Sequence, residues 1–178
     1  MKFIKAFFKH IFNRIWRLLR WIIFASVTGV ILGLVAAAFN FCLTEAVTLR
    51  ETNVGIAIFL PIVGLLIVYL YNKFSNAQDK GTNLVLSSIN SDEHIPLRMA
   101  PLIFISTVLT QMFGGSAGRE GAALQIGGSI GNYLGNWFKL DSKDKKVFIM
   151  SGMSAAFSAI FGTPVAAAIF SIEVGSVG

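Results

Sequence analysis

The stretch Gly114-Gly115-Ser116-Ala117-Gly118-Arg119-Glu120-Gly121 decides the fold that this sequence predicts. Four of its eight residues are glycines, and it separates two apolar runs without charges, Met99–Gly118 and Gly121–Phe138. So many glycines break a helix. Broken backbone at membrane depth persists only where protein or a water-filled cavity satisfies it. The stretch therefore predicts a helix that is interrupted inside a membrane.

The composition of the whole chain agrees with a membrane setting. Of its 178 residues, 54% are hydrophobic and 13% are charged, whereas a soluble domain carries about 25% charged residues. An ordinary soluble domain is thereby excluded. Cys42 is the single cysteine, so an intrachain disulfide is impossible, and no Cys/His spacing suits a metal. We expect neither a metal site nor a cofactor.

The first 20 residues account for the whole excess of positive charge. Six cations without an acid among them match the formal net charge of +6: Lys2, Lys5, Lys9, Arg14, Arg17 and Arg20. Their position favours an anionic membrane surface over nucleic acid as the partner. Apolar and basic residues recur at helical spacing, which predicts an amphipathic helix over residues 1–20 lying flat on the membrane. By the positive-inside rule, the N-terminus is then cytoplasmic.

Residues 21–178 are predicted to form one transmembrane domain. Trp21–Thr44 and Thr52–Asn72 are uncharged and long enough to span, since about 20 apolar residues cross a membrane. The first is too long for the apolar region of a cleavable signal peptide. Small residues at four-residue spacing predict that another helix approaches closely, namely Gly29, Gly33 and Ala37. A short polar connection is predicted at Glu45, Arg50 and Glu51.

The later sequence predicts a short helix, a glycine stripe and a second helix break. Lys73–Arg98 is polar with a short apolar patch, which indicates a helix that enters the protein part-way. The lysine-rich loop at 139–146 is solvated, and the sequence leaves its side of the membrane open. Phe161-Gly162-Thr163-Pro164 interrupts the uncharged run Val147–Ile172, so two helices joined by a break are expected. Tight helix packing is predicted at Gly127, Gly131 and Gly135.

The glycine-rich stretch also carries the predicted chemistry. A helix that starts at about Gly121 points free amides and the positive end of its dipole at the break. Transporters bind anions at such half-helix starts. The Glu120 carboxylate can occupy the anion's own position, excluding the ion when charged and admitting it when protonated. Glu120 is thus predicted to be a gate and a proton carrier. The alternative is a helix-capping glutamate paired with Arg119, which we interpret mainly as a structural residue.

Alternatives from other classes have less support. Gly114–Gly118 fits the G-x-S-x-G nucleophile elbow of serine hydrolases, which requires a histidine base. The only histidines, His10 and His94, lie in the basic tail and the polar segment. Neither is expected to reach Ser116, so an enzyme is not expected. No Gly-Lys-Ser/Thr completes a phosphate-binding loop. A membrane scaffold that transports nothing is the other alternative.

The stretch from Gly114 to Gly121, followed by Leu124-Gln125-Ile126-Gly127, resembles the CLC family of chloride channels and anion/proton antiporters. Phe161-Gly162-Thr163-Pro164 with Ile169-Phe170-Ser171-Ile172-Glu173 is similar to that family's broken helix. The order of elements agrees along nearly the whole chain. The resemblance implies an all-α, polytopic membrane protein with broken and re-entrant helices, the first half of the family's inverted-repeat fold.

The resemblance also implies site residues. Glu120 matches the family's external gating glutamate. Thr82 stands where chloride-type members have an ion-coordinating serine, and Asn83 is expected beside it at the anion site. Four further residues match the segment whose amides line that site: Gly118, Arg119, Gly121 and Ala122.

Three departures from the chloride-type pattern resemble the bacterial fluoride/proton antiporter branch. Gly81-Thr82-Asn83-Leu84 replaces Gly-Ser-Gly-Ile-Pro, Ala122 replaces a proline, and Val174 falls where chloride antiporters have a proton-pathway glutamate. The resemblance therefore implies fluoride/proton antiport, with a chloride channel or chloride/proton antiporter as the alternative. It further implies a homodimer in the inner (plasma) membrane, with fluoride or chloride, protons and the lipid bilayer as partners.

The family is built from two inverted halves that both supply ion ligands. This chain ends at about the close of the first half, so the ligands of the second half are missing. The chain is then either a piece of a longer polypeptide or a half that pairs with another chain. We expect the former.

Overall fold

The computed structural model describes residues 2–74, 85, 87–88 and 95–177. No β-strand occurs among these residues, as the all-α prediction requires. The helices, in chain order, are α1 (Lys2–Thr52), a 3-10 helix (Val54–Phe59), α2 (Leu60–Phe74), α3 (Met99–Met112), α4 (Arg119–Trp137), α5 (Ser142–Phe161) and α6 (Pro164–Val177).

Helix α1 is a single continuous helix of 51 residues. At 1.5 Å per residue it is about 75 Å long, more than twice the thickness of a bilayer core. No glycine or proline precedes Gly29, so nothing in the sequence interrupts the helix near Arg20. The boundary predicted between residues 20 and 21 therefore lies inside a continuous helix. The position of residues 1–20 on the membrane surface stays a prediction.

The polar connection predicted at Glu45, Arg50 and Glu51 is wrong, because all three residues lie in the last turns of α1. The polar side chains of this region do not end the helix because their hydroxyls bond back to it. Thr48 donates to the carbonyl of Thr44 at 3.0 Å, and Thr52 donates to that of Thr48 at 3.1 Å. The connection to α2 begins at Asn53 instead.

Two helical segments are long and apolar enough to cross a membrane, Arg14–Thr52 and Val54–Phe74. Many of their large apolar side chains are exposed rather than packed; Leu34 is 68% and Leu65 is 72% exposed. A continuous exposed apolar surface of this kind indicates a membrane or a protein partner. The predicted spans therefore exist as helices, the second of them opening with the 3-10 turn.

The inward side of α1 is formed by a row of large residues rather than by the predicted glycine stripe. Leu32, Phe39 and Leu43 are fully buried. A Cβ added at Gly29 or Gly33 would meet nothing within 4 Å. The close helix contact predicted at this stripe is therefore absent among the described residues, because the row beside it faces the core.

The tightest packing lies between the antiparallel helices α4 and α5, at the second glycine stripe. A Cβ on Gly131 would lie 2.8 Å from the carbonyl oxygen of Phe148. Gly127 and Gly152 face each other so closely that neither position has room for a side chain. The predicted tight packing at Gly127 and Gly131 is confirmed, and the stripe lies at the centre of the fold.

The second predicted helix break is confirmed. Helix α5 ends at Gly162, whose left-handed conformation (φ 68°, ψ 22°) caps the helix with an N–H to the Ser158 carbonyl. Pro164 then begins α6. The rings of Phe157 and Phe170 stack with centroids 5.6 Å apart, so α6 folds back along α5.

The predicted part-way helix falls mostly outside the described residues. Val85, Ser87 and Ser88 are helical, and the Ser88 hydroxyl donates to the Val85 carbonyl at 2.7 Å. Val85 is fully buried and lies directly against Gly128 of α4. Thr82 and Asn83 lie outside the described residues, so their role at the site stays a prediction.

Candidate functional site

The break between α3 and α4 spans six residues, 113–118. Gly114 has a positive φ of 88°, which glycine adopts without strain. At Gly115 the N–H donates to the Thr110 carbonyl at 2.8 Å, and a Cβ would lie 2.6 Å from the Thr110 methyl. Both positions therefore require glycine, which explains the local density of this residue.

Helix α4 begins at Arg119, two residues before the predicted start at Gly121. Gly118 is its N-cap, with an extended backbone (φ −71°, ψ 130°) and no side chain to cap the helix. Arg and Glu are good helix formers, so the helix extends back to the glycine that ends the break. Glu120 therefore lies within the first turn of α4.

This geometry leaves a row of backbone amides free. Within the described part of the chain, the N–H groups of Ser116, Ala117 and Gly118 have no acceptor. The N–H groups of the first helical turn, from Arg119 to Gly121, have no intrahelical acceptor by the geometry of any α-helix. These donors lie at the positive end of the helix dipole, which is the arrangement that binds anions.

Ala122 differs from the other residues predicted to offer amides. In an α-helix capped at Gly118, the N–H of Ala122 makes the first intrahelical bond. The Ala122 side chain is only 4% exposed and belongs to the hydrophobic core. Its contribution is to fix the first turn of α4 in the core.

Glu120 is exposed and Arg119 is partly buried. No ion pair joins them within the part of the chain that the structure describes. The alternative in which Glu120 caps the helix and pairs with Arg119 requires this ion pair, so it lacks support among the described residues. Glu120 therefore has no neutralising side chain among the described residues, and its backbone lies within the row of free amides.

A glutamine that sequence reasoning missed holds the break in shape. The Gln111 side-chain nitrogen donates to the Ala117 carbonyl at 2.8 Å, linking the last turn of α3 to the residue before the α4 cap. The available signal was a single amide side chain in an otherwise uncharged apolar run. Its partner could not be read from the sequence, because the bond depends on how the break folds.

The first turns of α4 pack against the apolar part of α1. Ala122 and Ile126 share the hydrophobic core with Phe39 of α1. Along α1, Phe39 lies about 28 Å beyond Arg20 and about 9 Å before Glu45. The first turns of α4 are therefore beside the uncharged part of α1, whereas the break itself lies beside Arg50, near the C-terminal end of α1.

Sequence comparison assigns the family. The profile of the Voltage gated chloride channel family matches residues 63–177. The chain belongs to this family. The CLC resemblance inferred from the glycine-rich stretch is thereby confirmed.

The CLC relatives are anion channels and transporters rather than enzymes. The chain is 37% identical over 160 residues to the chloride/fluoride channel protein of Pseudomonas syringae pv. tomato, covering 89% of this chain and 35% of that protein. It is 28% identical to the H(+)/Cl(−) exchange transporter ClcA of Citrobacter koseri, covering 84% of this chain and 35% of the relative.

Solved CLC structures agree with the helical fold. A CLC-type fluoride/proton antiporter superimposes with a TM-score of 0.78 at 40% identity, covering 85% of this chain and 38% of the other. A slow cyanobacterial Cl−/H+ antiporter gives a TM-score of 0.69 at 22% identity, with 87% and 44% covered. The all-helical membrane fold class is confirmed, and the chain spans less than half the length of these relatives.

Proposed function

We propose that this chain contributes half of an anion pathway that exchanges fluoride for protons, with Glu120 as the gate. The observation that carries the proposal is the position of Glu120 in the first turn of α4, beside amides without acceptors among the described residues. A carboxylate and a halide are both anions, so they compete for the same donors.

The competition links anion movement to protons. Deprotonated Glu120 occupies the amides and excludes the ion. Protonated Glu120 has lost its negative charge and leaves the amides to the anion. Each cycle of protonation then opens and closes the site, with one side chain acting as gate and proton carrier. Gly118, Arg119 and Gly121 supply the amide donors in this scheme.

Fluoride is the proposed substrate because the relatives at 37% and 40% identity name fluoride in their descriptions. The chain also departs from the chloride-type pattern at Thr82, Asn83, Ala122 and Val174. These departures resemble the fluoride/proton antiporter branch of the family. Chloride is the second candidate, favoured by the chloride/proton exchange transporters that are 28% identical to this chain.

We propose further that residues beyond this chain complete the anion site, since the relatives are much longer. The assembly is a homodimer in a bacterial inner membrane, with the N-terminus in the cytoplasm. The hydrolase alternative is disfavoured, because residues 10 and 50 are about 60 Å apart along α1 and the break holding Ser116 lies beside Arg50. His94 lies outside the described residues.

The test is Glu120→Gln in the full-length gene product, reconstituted in liposomes. Fluoride, chloride and proton fluxes are measured in parallel. Glutamine keeps the shape and cannot ionise, so proton movement should cease while anion movement becomes passive or stops. Glu45→Gln, an exposed glutamate on α1, is the matched control and should keep coupled exchange.

Proton coupling that survives Glu120→Gln unchanged rejects the gating role. Chloride flux that equals or exceeds fluoride flux rejects the fluoride assignment and leaves the anion pathway standing. Wild-type protein that moves neither ion rejects transport altogether and favours the scaffold.

A further inference from the structure

A pocket of about 300 Å³ lies beside the helix break, between it and the C-terminal end of α1. Its lining is mostly the glycine-rich segment Gly114–Ala117, together with Gln111 of α3 and two residues of α1, Val47 and Arg50. Among these lining residues Arg50 is the one charged side chain, and none is a carboxylate. The pocket therefore combines a cation with free backbone donors.

The Arg50 side chain lies against the break. Its Cδ is 3.9 Å from the position that a Cβ on Gly114 would take, which is an ordinary van der Waals distance. Arg50 is partly buried. Within the described residues its guanidinium makes no hydrogen bond or ion pair. A partly desolvated guanidinium with unused donors is a receptor for an anion.

The neighbouring acids do not neutralise this cation. Glu51 follows Arg50 directly and Glu45 precedes it by five positions, so neither shares its face of the helix at three- or four-residue spacing. Neither glutamate lines the pocket. Ser116 and Ala117, whose N–H groups have no acceptor among the described residues, line the same pocket.

We infer that this pocket is a capture site for small inorganic anions, with Arg50 as the residue that attracts them before they pass to the start of α4. The inference rests on the proposed function, because the captured ion passes to the anion site proposed at the start of α4. The pocket adjoins that site, since Ala117 directly precedes the α4 cap, Gly118. The site takes monovalent halides, fluoride foremost. Arg50 acts on the approach of the ion, whereas Glu120 acts on its passage.

A purely structural role for Arg50 makes a different prediction. A cation in the last turn of a helix stabilises the negative end of its dipole. If this were its only role, removing the charge would lower stability and leave the dependence of transport on anion concentration unchanged. Measuring both the half-saturating anion concentration and the maximal rate therefore distinguishes the capture role from the structural role.

The experiment compares Arg50→Gln and Arg50→Lys in the full-length gene product, with membrane currents recorded while fluoride is added to one side at a time. At low ionic strength, Arg50→Gln should raise the half-saturating fluoride concentration about 3- to 10-fold on the side where α1 ends, since focused charge raises local ion concentration. The maximal rate should change less. Added inert salt should shrink the difference, and Arg50→Lys should retain most of the wild-type behaviour.

Arg14→Gln, at the opposite end of α1, is the matched control and should not alter the half-saturating concentration on that side. Arg50→Cys, in a background with Cys42→Ala, provides a second measurement on protein that is already folded. A cationic thiol reagent should restore capture, and a neutral reagent of similar size should not.

Unchanged half-saturation in Arg50→Gln, or equal rescue by the neutral reagent, overturns the capture site while coupled exchange in the wild type leaves the proposed function intact. Wild-type protein without anion flux overturns both. A change confined to the maximal rate assigns Arg50 the structural role alone.

Discussion

Phe24 of α1 stacks on Phe138, the residue that follows α4, with ring centroids 4.3 Å apart and ring planes 19° apart. Arg20 lies over the same Phe24 ring, 5.0 Å from its centroid, and lines a small pocket with Asp144. The lysine-rich loop predicted at 139–146 is only partly a loop, because residues 142–146 form the first turns of α5. This lysine-rich segment and the N-terminal cations are therefore at the same end of the helices. The sequence alone left this relationship open.

We predict that this shared basic end faces the cytoplasm, because cations are retained on that side of the membrane. In a Cys42→Ala background, Lys143→Cys in spheroplasts should resist an impermeant thiol reagent and react only after permeabilisation. Glu51→Cys, near the far end of α1, is the control and should react in intact spheroplasts. Labelling of Lys143→Cys from outside contradicts the predicted orientation.

A second prediction concerns the contact between α4 and α5. Gly131→Ala places a Cβ 2.8 Å from the Phe148 carbonyl oxygen, and such overpacking costs about 1–3 kcal/mol. The melting temperature in detergent should fall. Gly64→Ala is the matched control, because nothing lies within 4 Å of a Cβ there, and alanine improves helix propensity by about 1 kcal/mol. Equal melting temperatures for the two variants refute the packing argument.

Features that depend on glycine and proline were predictable from the sequence. The breaks at Gly114–Gly118 and Phe161–Pro164 follow from backbone conformations that only these residues favour. The start of α4 was misplaced by two residues because helix ends are set by the cap, and Gly118 could serve as well as Gly121. The amide donors predicted at Gly118, Arg119 and Gly121 lie beside Glu120 because they are its neighbours in the chain.

Features that depend on contacts between distant residues were not predictable. The spacing of Gly29, Gly33 and Ala37 shows that a helix could approach but cannot show which face of α1 the core uses. The polar residues Glu45 and Arg50 suggested a non-helical connection between the first two spans. Helix α1 instead continues through both residues, because no local signal ends it there. Arg50 became a candidate site residue only once α1 was packed beside the break.

The bond across the break gives a third prediction. Gln111→Met keeps the length of the side chain and removes the donor to the Ala117 carbonyl. One such bond is worth about 1 kcal/mol, which corresponds to a roughly fivefold loss of transport rate if the α4 start is displaced. Fluoride flux in liposomes measures the effect.

Thr110→Val is the control for Gln111→Met. It also removes one hydrogen bond, the 2.7 Å bond from the Thr110 hydroxyl to the Ser106 carbonyl, but that bond lies within α3. Valine keeps the methyl that packs on Gly115. Transport should change little, and an equal loss in both variants argues against a special role for the bond across the break.

The last prediction concerns the segment that leads into α3. Asn132 of α4 is only 1% exposed, and its side-chain nitrogen donates to the Ile95 carbonyl at 2.7 Å. Ser129, one turn earlier, donates to the Pro96 carbonyl at 2.8 Å. These two bonds attach residues 95–96 to the middle of α4, so they fix where α3 begins and hence where the break falls.

Asn132→Leu should lower stability, since the buried Ile95 carbonyl loses its donor, at a cost of about 1–3 kcal/mol. Part of that cost is offset, because the side-chain oxygen of Asn132 already has no partner among the described residues and leucine removes it. Asn132→Asp should be worse, because it buries a charge and still lacks the donor. Asn136→Leu, exposed on the same helix, should stay near wild type. Thermal unfolding in detergent should therefore rank the aspartate variant below the leucine variant, and the reverse order would show that the Ile95 bond does not hold this segment.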